Sequence, residues 1–116
     1  MRRGFLLFVL AAALTFGATE ISGTWNVTVE IQGNSGSPKF VLKQEGKKLT
    51  GTYSGLLGSA PLTGAIDGDK VEWQFEVKSE QATGTVKYRG TVTGGKMRGT
   101  VNYADLGEGT WEATKQ

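Results

Sequence analysis

From Trp25 onward, apolar and polar residues alternate one for one. Trp25, Val27, Val29 and Ile31 interleave with Asn26, Thr28 and Glu30. Val71, Trp73, Phe75 and Val77 interleave with Glu72, Gln74 and Glu76. The same holds for Val86, Tyr88, Gly90 and Val92 among Lys87, Arg89 and Thr91, and for Met97, Gly99, Val101 and Tyr103 among Arg98, Thr100 and Asn102. A period of two marks a β-strand with one buried face. Shorter runs centre on Phe40–Gln44, Leu49–Tyr53, Leu62–Ile66 and Gly109–Ala113. No segment after residue 20 carries a helical period.

Turn chemistry separates the runs. Glu45-Gly46-Lys47, Asp67-Gly68-Asp69 and Thr93-Gly94-Gly95-Lys96 read as hairpin turns, and Asn34-Ser35-Gly36-Ser37-Pro38 reads as a loop. Runs recur about every 10–13 residues, as in an up-and-down barrel or a sandwich. No linker divides them. The pattern predicts one all-β domain over residues 20–116, a single up-and-down antiparallel barrel of about eight strands.

Before that domain stand Arg2, Arg3 and an apolar run from Phe5 to Leu14. A basic start and about 10–14 apolar residues are the n- and h-regions of a secretory signal peptide. The run is shorter than the roughly 20 residues that span a bilayer. Residues 1–19 are therefore expected to form a signal-peptide helix, cut between Ala18 and Glu20. The expected destination is secreted or periplasmic, with a bacterial export signal and no membrane association after cleavage.

Charge and chemistry narrow the function. The net charge is +2. Arg2 and Arg3 account for all of it, so the mature domain is near neutral. No basic run remains to neutralise a phosphate backbone, which argues against nucleic acid. Cysteine and histidine are both absent. Disulfides, Cys or His metal sites, and triads that need either residue are excluded. No inward pair of carboxylates appears, so no catalytic residue is assigned and no enzyme, cofactor or metal is expected. Asp67 and Asp69 fit a hairpin turn. Glu72 and Glu76 lie on an outward face, with Lys87 and Arg89 expected opposite for cross-strand charge pairing.

Glycine falls repeatedly in the apolar register: Gly23, Gly51, Gly64, Gly90, Gly99 and Gly109. Two readings stand side by side. Inward glycines let a small barrel coil tightly, with nearby tryptophan rings over the bare backbone. Alternatively, the missing side chains leave the interior hollow. An eight-stranded barrel is near the size at which its interior is just filled or holds one small ligand.

Gly23-Thr24-Trp25 opens the first strand. This Gly-x-Trp resembles the calycin superfamily, which includes lipocalins, fatty-acid-binding proteins and avidins. In that group a basic residue near the closing strand packs across the tryptophan, and Lys115 takes that place. Ser22-Gly23-Thr24-Trp25, Leu49-Thr50-Gly51-Thr52-Tyr53-Ser54 and Pro61-Leu62-Thr63-Gly64 are similar, in order, to avidin and streptavidin strand openings. The rhythm also resembles small uncharacterised bacterial secreted barrel domains. The avidin resemblance implies a ligand-bonding role for Tyr53 and a stacking role for Trp73. Asn26 falls outward instead of inward, however, and Val86, Tyr88 and Gly90 replace the later polar pattern, so biotin binding is not predicted.

Trp25, Tyr53, Trp73, Phe75, Tyr88 and Trp111 share the inward register, and an aromatic lining binds flat or apolar molecules by burial and stacking. Leu56 and Leu57, in the loop Ser54-Gly55-Leu56-Leu57-Gly58-Ser59-Ala60, either cover the barrel mouth or plug it as ordinary core. Leu106, in the loop after Tyr103, has the same choice, and an alternating meander puts both loops at one end. Two functions follow: a secreted barrel that binds a small apolar or aromatic ligand inside, or a structural or interaction module with a filled core.

Overall fold

The computed structural model describes residues 20–80, 82–103 and 107–116. The signal-peptide helix, its cleavage site and Leu106 lie outside the described residues. Among the described residues the domain is all-β, with nine strands: β1 Gly23–Ile31, β2 Asn34–Gly36, β3 Lys39–Glu45, β4 Lys48–Gly55, β5 Gly58–Asp67, β6 Lys70–Lys78, β7 Thr83–Thr93, β8 Lys96–Tyr103 and β9 Glu108–Lys115.

Eight of them close a barrel. From β3 through β9 each strand pairs antiparallel with the next. β1 pairs with β3 on one side and β9 on the other, so no long edge is left. Closure satisfies the strand N–H and C=O groups that an open sheet would leave bare at its edges.

The ninth strand corrects the sequence reading of residues 34–38 as a loop. Asn34, Ser35 and Gly36 pair with Ile31, Glu30 and Val29. The reversal is made instead by Gln32 and Gly33, whose φ angles are 51° and 86°. Positive φ at both central residues is the type I′ condition, and it matches the twist of the flanking strands. Ser37 and Pro38 then interrupt the run. Pro38 lacks an N–H, yet its carbonyl accepts from Val27 N at 3.1 Å, and pairing with β1 resumes in β3.

The alternation sets which residues face in. Along β6 every odd-numbered residue from Val71 to Val77 is buried and every even one is exposed. The ends of the barrel differ. At one end Ile21 is buried beneath the strand openings and accepts from Trp25 Nε1 at 2.9 Å. Its N–H donates to Gln44 Oε1 at 2.9 Å, and Ser22 Oγ accepts from Gln44 N at 2.9 Å. The other end carries the Gln32-Gly33 and Leu56-Leu57 turns. Tyr53 and Tyr103 come together at this end: Tyr53 Oη lies 3.4 Å from Tyr103 Oη, and Leu57 N donates to Tyr53 Oη at 3.3 Å.

On the outer face, Arg89 is opposite Glu72 as expected, but Lys87 faces Gln74 and Glu76 faces Thr85. Glu76 Oε2 accepts from Thr85 Oγ1 at 2.6 Å, so this carboxylate is held by a hydroxyl where a cation was expected.

Candidate binding site in the barrel interior

Phe40 stands at the centre of the interior. Its ring meets Tyr88 edge-on at 5.0 Å, Trp73 edge-on at 5.3 Å, Tyr53 at 5.6 Å and Phe75 at 5.8 Å. Tyr53 stacks on Phe75 at 4.3 Å, and Trp73 stacks on Tyr88 at 5.5 Å. Trp111 closes against both Trp73 and Tyr88, and Tyr103 stands edge-on to Tyr88 at 6.3 Å. Such pairs contribute roughly 0.5–1.5 kcal/mol each beyond their buried area.

The inward glycines decide between coiling and hollowness. Gly90 is paired with Gly99 across β7 and β8. A Cβ on Gly90 would fall 2.3 Å from Arg98 O and 2.7 Å from Trp111 Cζ2. One on Gly99 would fall 1.9 Å from Arg89 O, and one on Gly64 2.0 Å from Glu72 O. Neighbouring backbone, not empty space, fills the place of the missing side chains, so these glycines serve the coil. The ring cover expected over them holds at Gly90, where Trp111 lies across the pair and donates from Nε1 to Thr100 O at 2.9 Å and Arg89 O at 3.2 Å. Gly23 is covered by Lys115 instead. That lysine is in register with Trp25, and its Cε lies 2.8 Å from where a Gly23 Cβ would be. A groove of about 510 Å³ lies on the outer face, among Thr28, Glu30, Arg98, Thr100 and Thr110.

Buried polar atoms are where the interior is incomplete. Trp25 and Trp111 spend their indole N–H groups on carbonyls, and Tyr53 accepts from Leu57. Trp73 Nε1 and Tyr88 Oη, in side chains 2% and 1% exposed, have no partner at hydrogen-bonding geometry. The Tyr103 hydroxyl is nevertheless near enough to interact with Tyr88 as a long, weak hydrogen bond, and Tyr53 is felt electrostatically. Burial pushes the Tyr88 hydroxyl far above its ordinary value near 10, and Tyr103 adds to the effect. Burial, with the bond to Tyr53, raises Tyr103 as well. The Tyr88 and Tyr103 hydroxyls therefore stay protonated near neutral pH.

Of the residues expected to contact a ligand, Tyr53, Trp73, Phe75, Tyr88 and Trp111 belong to this one ring network. Trp25 is equally buried, but among the described residues it makes no ring contact and is tied to Ile21 at the plugged end. The two leucines separate. Leu57 is 9% exposed and turns in beneath the hairpin, whereas Leu56 is 86% exposed and turns away. The connection is a two-residue turn, because Ser54, Gly55, Gly58, Ser59 and Ala60 are strand residues. Phe40 and Tyr103 were missing from the expected set. Tyr103 was readable as the last inward position of β8. Phe40 was obscured because Val41, an apolar residue 49% exposed, blurs the alternation of β3.

Fold and interior together define a class: a closed eight-stranded antiparallel barrel with an aromatic interior and a cluster of tyrosine hydroxyls near one end. Among solved structures, the chain is similar to a redesigned beta barrel, mFAP1, described bound to DFHBI. The TM-score is 0.63, over 82% of this chain and 94% of that one, at 12% sequence identity, a likeness of fold. No protein-family model matches the chain, and no curated protein matches it in sequence.

Proposed function

We propose that this protein is an exported, non-catalytic binding barrel of calycin-like kind, secreted or periplasmic. Its ligand is a small flat aromatic or apolar molecule, taken at the tyrosine-lined end of the interior. The observation that carries this reading is the Tyr88 hydroxyl, buried in a wall of aromatic rings with only a long, weak interaction with the Tyr103 hydroxyl and no partner at good hydrogen-bonding geometry. An unsatisfied buried hydroxyl costs roughly 1–3 kcal/mol, and a ligand that engages it recovers that cost. The similarity of fold to a barrel described bound to DFHBI fits the same reading.

Because the rings already touch, the ligand displaces something on binding. The Leu56-Leu57 turn is the part to move, since Leu57 N meets Tyr53 Oη at 3.3 Å, beyond the usual range of a good hydrogen bond. The opposite end is held by Ile21, Trp25 and Gln44. Titration of tryptophan emission with a panel of flat aromatic compounds tests the proposal, alongside native mass spectrometry of protein purified from its host. Saturable quenching or a retained small molecule supports it. No binding at millimolar concentrations, with only the bare protein mass, would falsify it.

The second reading is an interaction module with a filled core. The exposure of Leu56 favours it, because a large apolar side chain at a hairpin tip suits a partner surface. Concentration-dependent sedimentation that Leu56→Asp abolishes would support this alternative. A monomer at every concentration, with no co-purifying protein, counts against it.

A further inference from the structure

The outer face of the barrel divides by charge along the seam between β8 and β9. The outward positions of β7 and β8 hold the cations Lys87, Arg89, Lys96 and Arg98 and no acid. Those of β1 and β9 hold the acids Glu30, Glu108 and Glu112 and no cation. Strand register aligns these residues in rows across the four strands. One row runs Glu30, Thr110, Thr100, Arg89, and the next runs Thr28, Glu112, Arg98, Thr91. Each row reverses onto itself with acid against cation and threonine against threonine. All these side chains are exposed except Thr91, which is half-buried. Within one copy the charges are not spent on each other. Glu112 is opposite Arg98, and Glu72 of β6 flanks Arg89, yet the ion pairs among the described residues are Lys43–Glu45 and Lys47–Asp67. The groove of about 510 Å³ lies at the centre of this face, so the surface there is dished.

We infer that this face docks a second copy of the chain. The two copies meet face to face about a two-fold axis that runs parallel to the strands over the β8–β9 seam. That axis lays β9 of one copy on β8 of the other, and β1 on β7. Arg98 then meets the partner's Glu112, and Arg89 meets the partner's Glu30. Each pair occurs twice, as an isologous interface requires. A two-fold axis across the strands would lay the acidic strip on the acidic strip, so charge selects one orientation. An unrelated acidic or basic partner would complement one strip and oppose the other, whereas a second copy complements both. Four strands about 4.8 Å apart and about six residues long make a face of roughly 400 Å², half the roughly 800 Å² per partner of a stable complex. The association is therefore weak and governed by charge, and it is independent of what the barrel interior holds.

Sedimentation equilibrium up to about millimolar protein tests this, at ionic strengths of about 0.02 M and about 0.5 M. A dimer is expected at low salt, with affinity falling about tenfold or more at high salt, because exposed ion pairs are screened. Arg98→Glu and Glu112→Arg each set like charges across the two-fold axis, so each variant alone is expected to stay monomeric. Mixed in equal amounts, they are expected to associate at least as tightly as the parent. One variant then carries acids at both facing positions and the other carries cations at both. That rescue excludes misfolding as the cause of either loss. Leu56→Asp, at the barrel end, is expected to leave the association unchanged. A monomer throughout at low salt, or a dimer indifferent to salt, overturns the inference. So does association that survives in either single variant, a mixture that stays monomeric, or abolition by Leu56→Asp.

Discussion

Gly90→Ala separates a tightly coiled barrel from a hollow one by the sign of its effect. In an ordinary strand, replacing glycine by alanine is worth about 0.5–1 kcal/mol of stability, because the alanine backbone loses less entropy on folding. A hollow interior would allow that gain and add contact. Here the new methyl would sit 2.3 Å from Arg98 O and 2.7 Å from Trp111 Cζ2. The carbonyl belongs to the neighbouring strand, so relief requires β7 and β8 to part at the Gly90–Gly99 pair. The ring is held by its bonds to Arg89 O and Thr100 O. Overpacking of this kind costs about 1–3 kcal/mol. For a domain of this size, each kcal/mol moves Tm by roughly 4–8 °C, so a fall of about 5–20 °C is expected. Thermal unfolding followed by circular dichroism reads it, with a tryptophan emission change reporting the displaced Trp111 ring. Gly95→Ala is the control, because a methyl there meets nothing within 4 Å, and it should leave Tm unchanged or slightly raised. A Gly90→Ala variant as stable as the parent, or more so, would refute the coiling argument.

Other expectations follow from the same interior. Tyr88→Phe removes a hydroxyl without a partner at good hydrogen-bonding geometry, so the ligand-free protein should hold or gain stability, by up to about 1–3 kcal/mol; a clear loss in urea titration would mean the hydroxyl is satisfied. Leu57→Asp buries an unpaired charge and should cost several kcal/mol, whereas Leu56→Asp should stay within about 0.5 kcal/mol; comparable urea midpoints would contradict their opposite burial. Stability should also fall in alkali. The Tyr88 hydroxyl keeps its proton in the fold well above the pH near 10 at which the unfolded chain releases it. The unfolded state then binds fewer protons, so stability is intact below about pH 10 and declines above it, by roughly 1.4 kcal/mol per pH unit for that residue. Urea midpoints between pH 8 and 12 check this, and a decline equally steep in Tyr88→Phe would assign it elsewhere.

How much of this was legible in the sequence depends on what each feature rests on. The long strands were readable because a period of two, once set in β6 or β7, fixes every side chain to one face. β2 was not, since Asn34, Ser35 and Gly36 have the composition of a loop and are drawn into pairing by the Gln32-Gly33 turn before them. The inward glycines were visible as a pattern, but a glycine code does not say whether the adjacent strand moves into the space it leaves. That depends on the shear of the closed barrel, a property of all eight strands together. The six inward aromatics were found by register alone, yet Trp25 and Trp73 look alike in sequence. Only the third dimension ties one to Ile21 and leaves the other without an acceptor.

The pairing of β1 with β9 governs how the fold can be reached. The first and last barrel strands are partners, so the closing seam joins residues such as Val29 and Trp111, far apart in the chain. The hairpins between can form locally, but the seam must wait for the final strand and bear the entropy of a long loop. Until then β1 and β8 present open edges with apolar faces, which are templates for pairing with other chains. Assembly is thus held back until the chain is complete through residue 115, and a product truncated within β9 would aggregate even though every other strand is present.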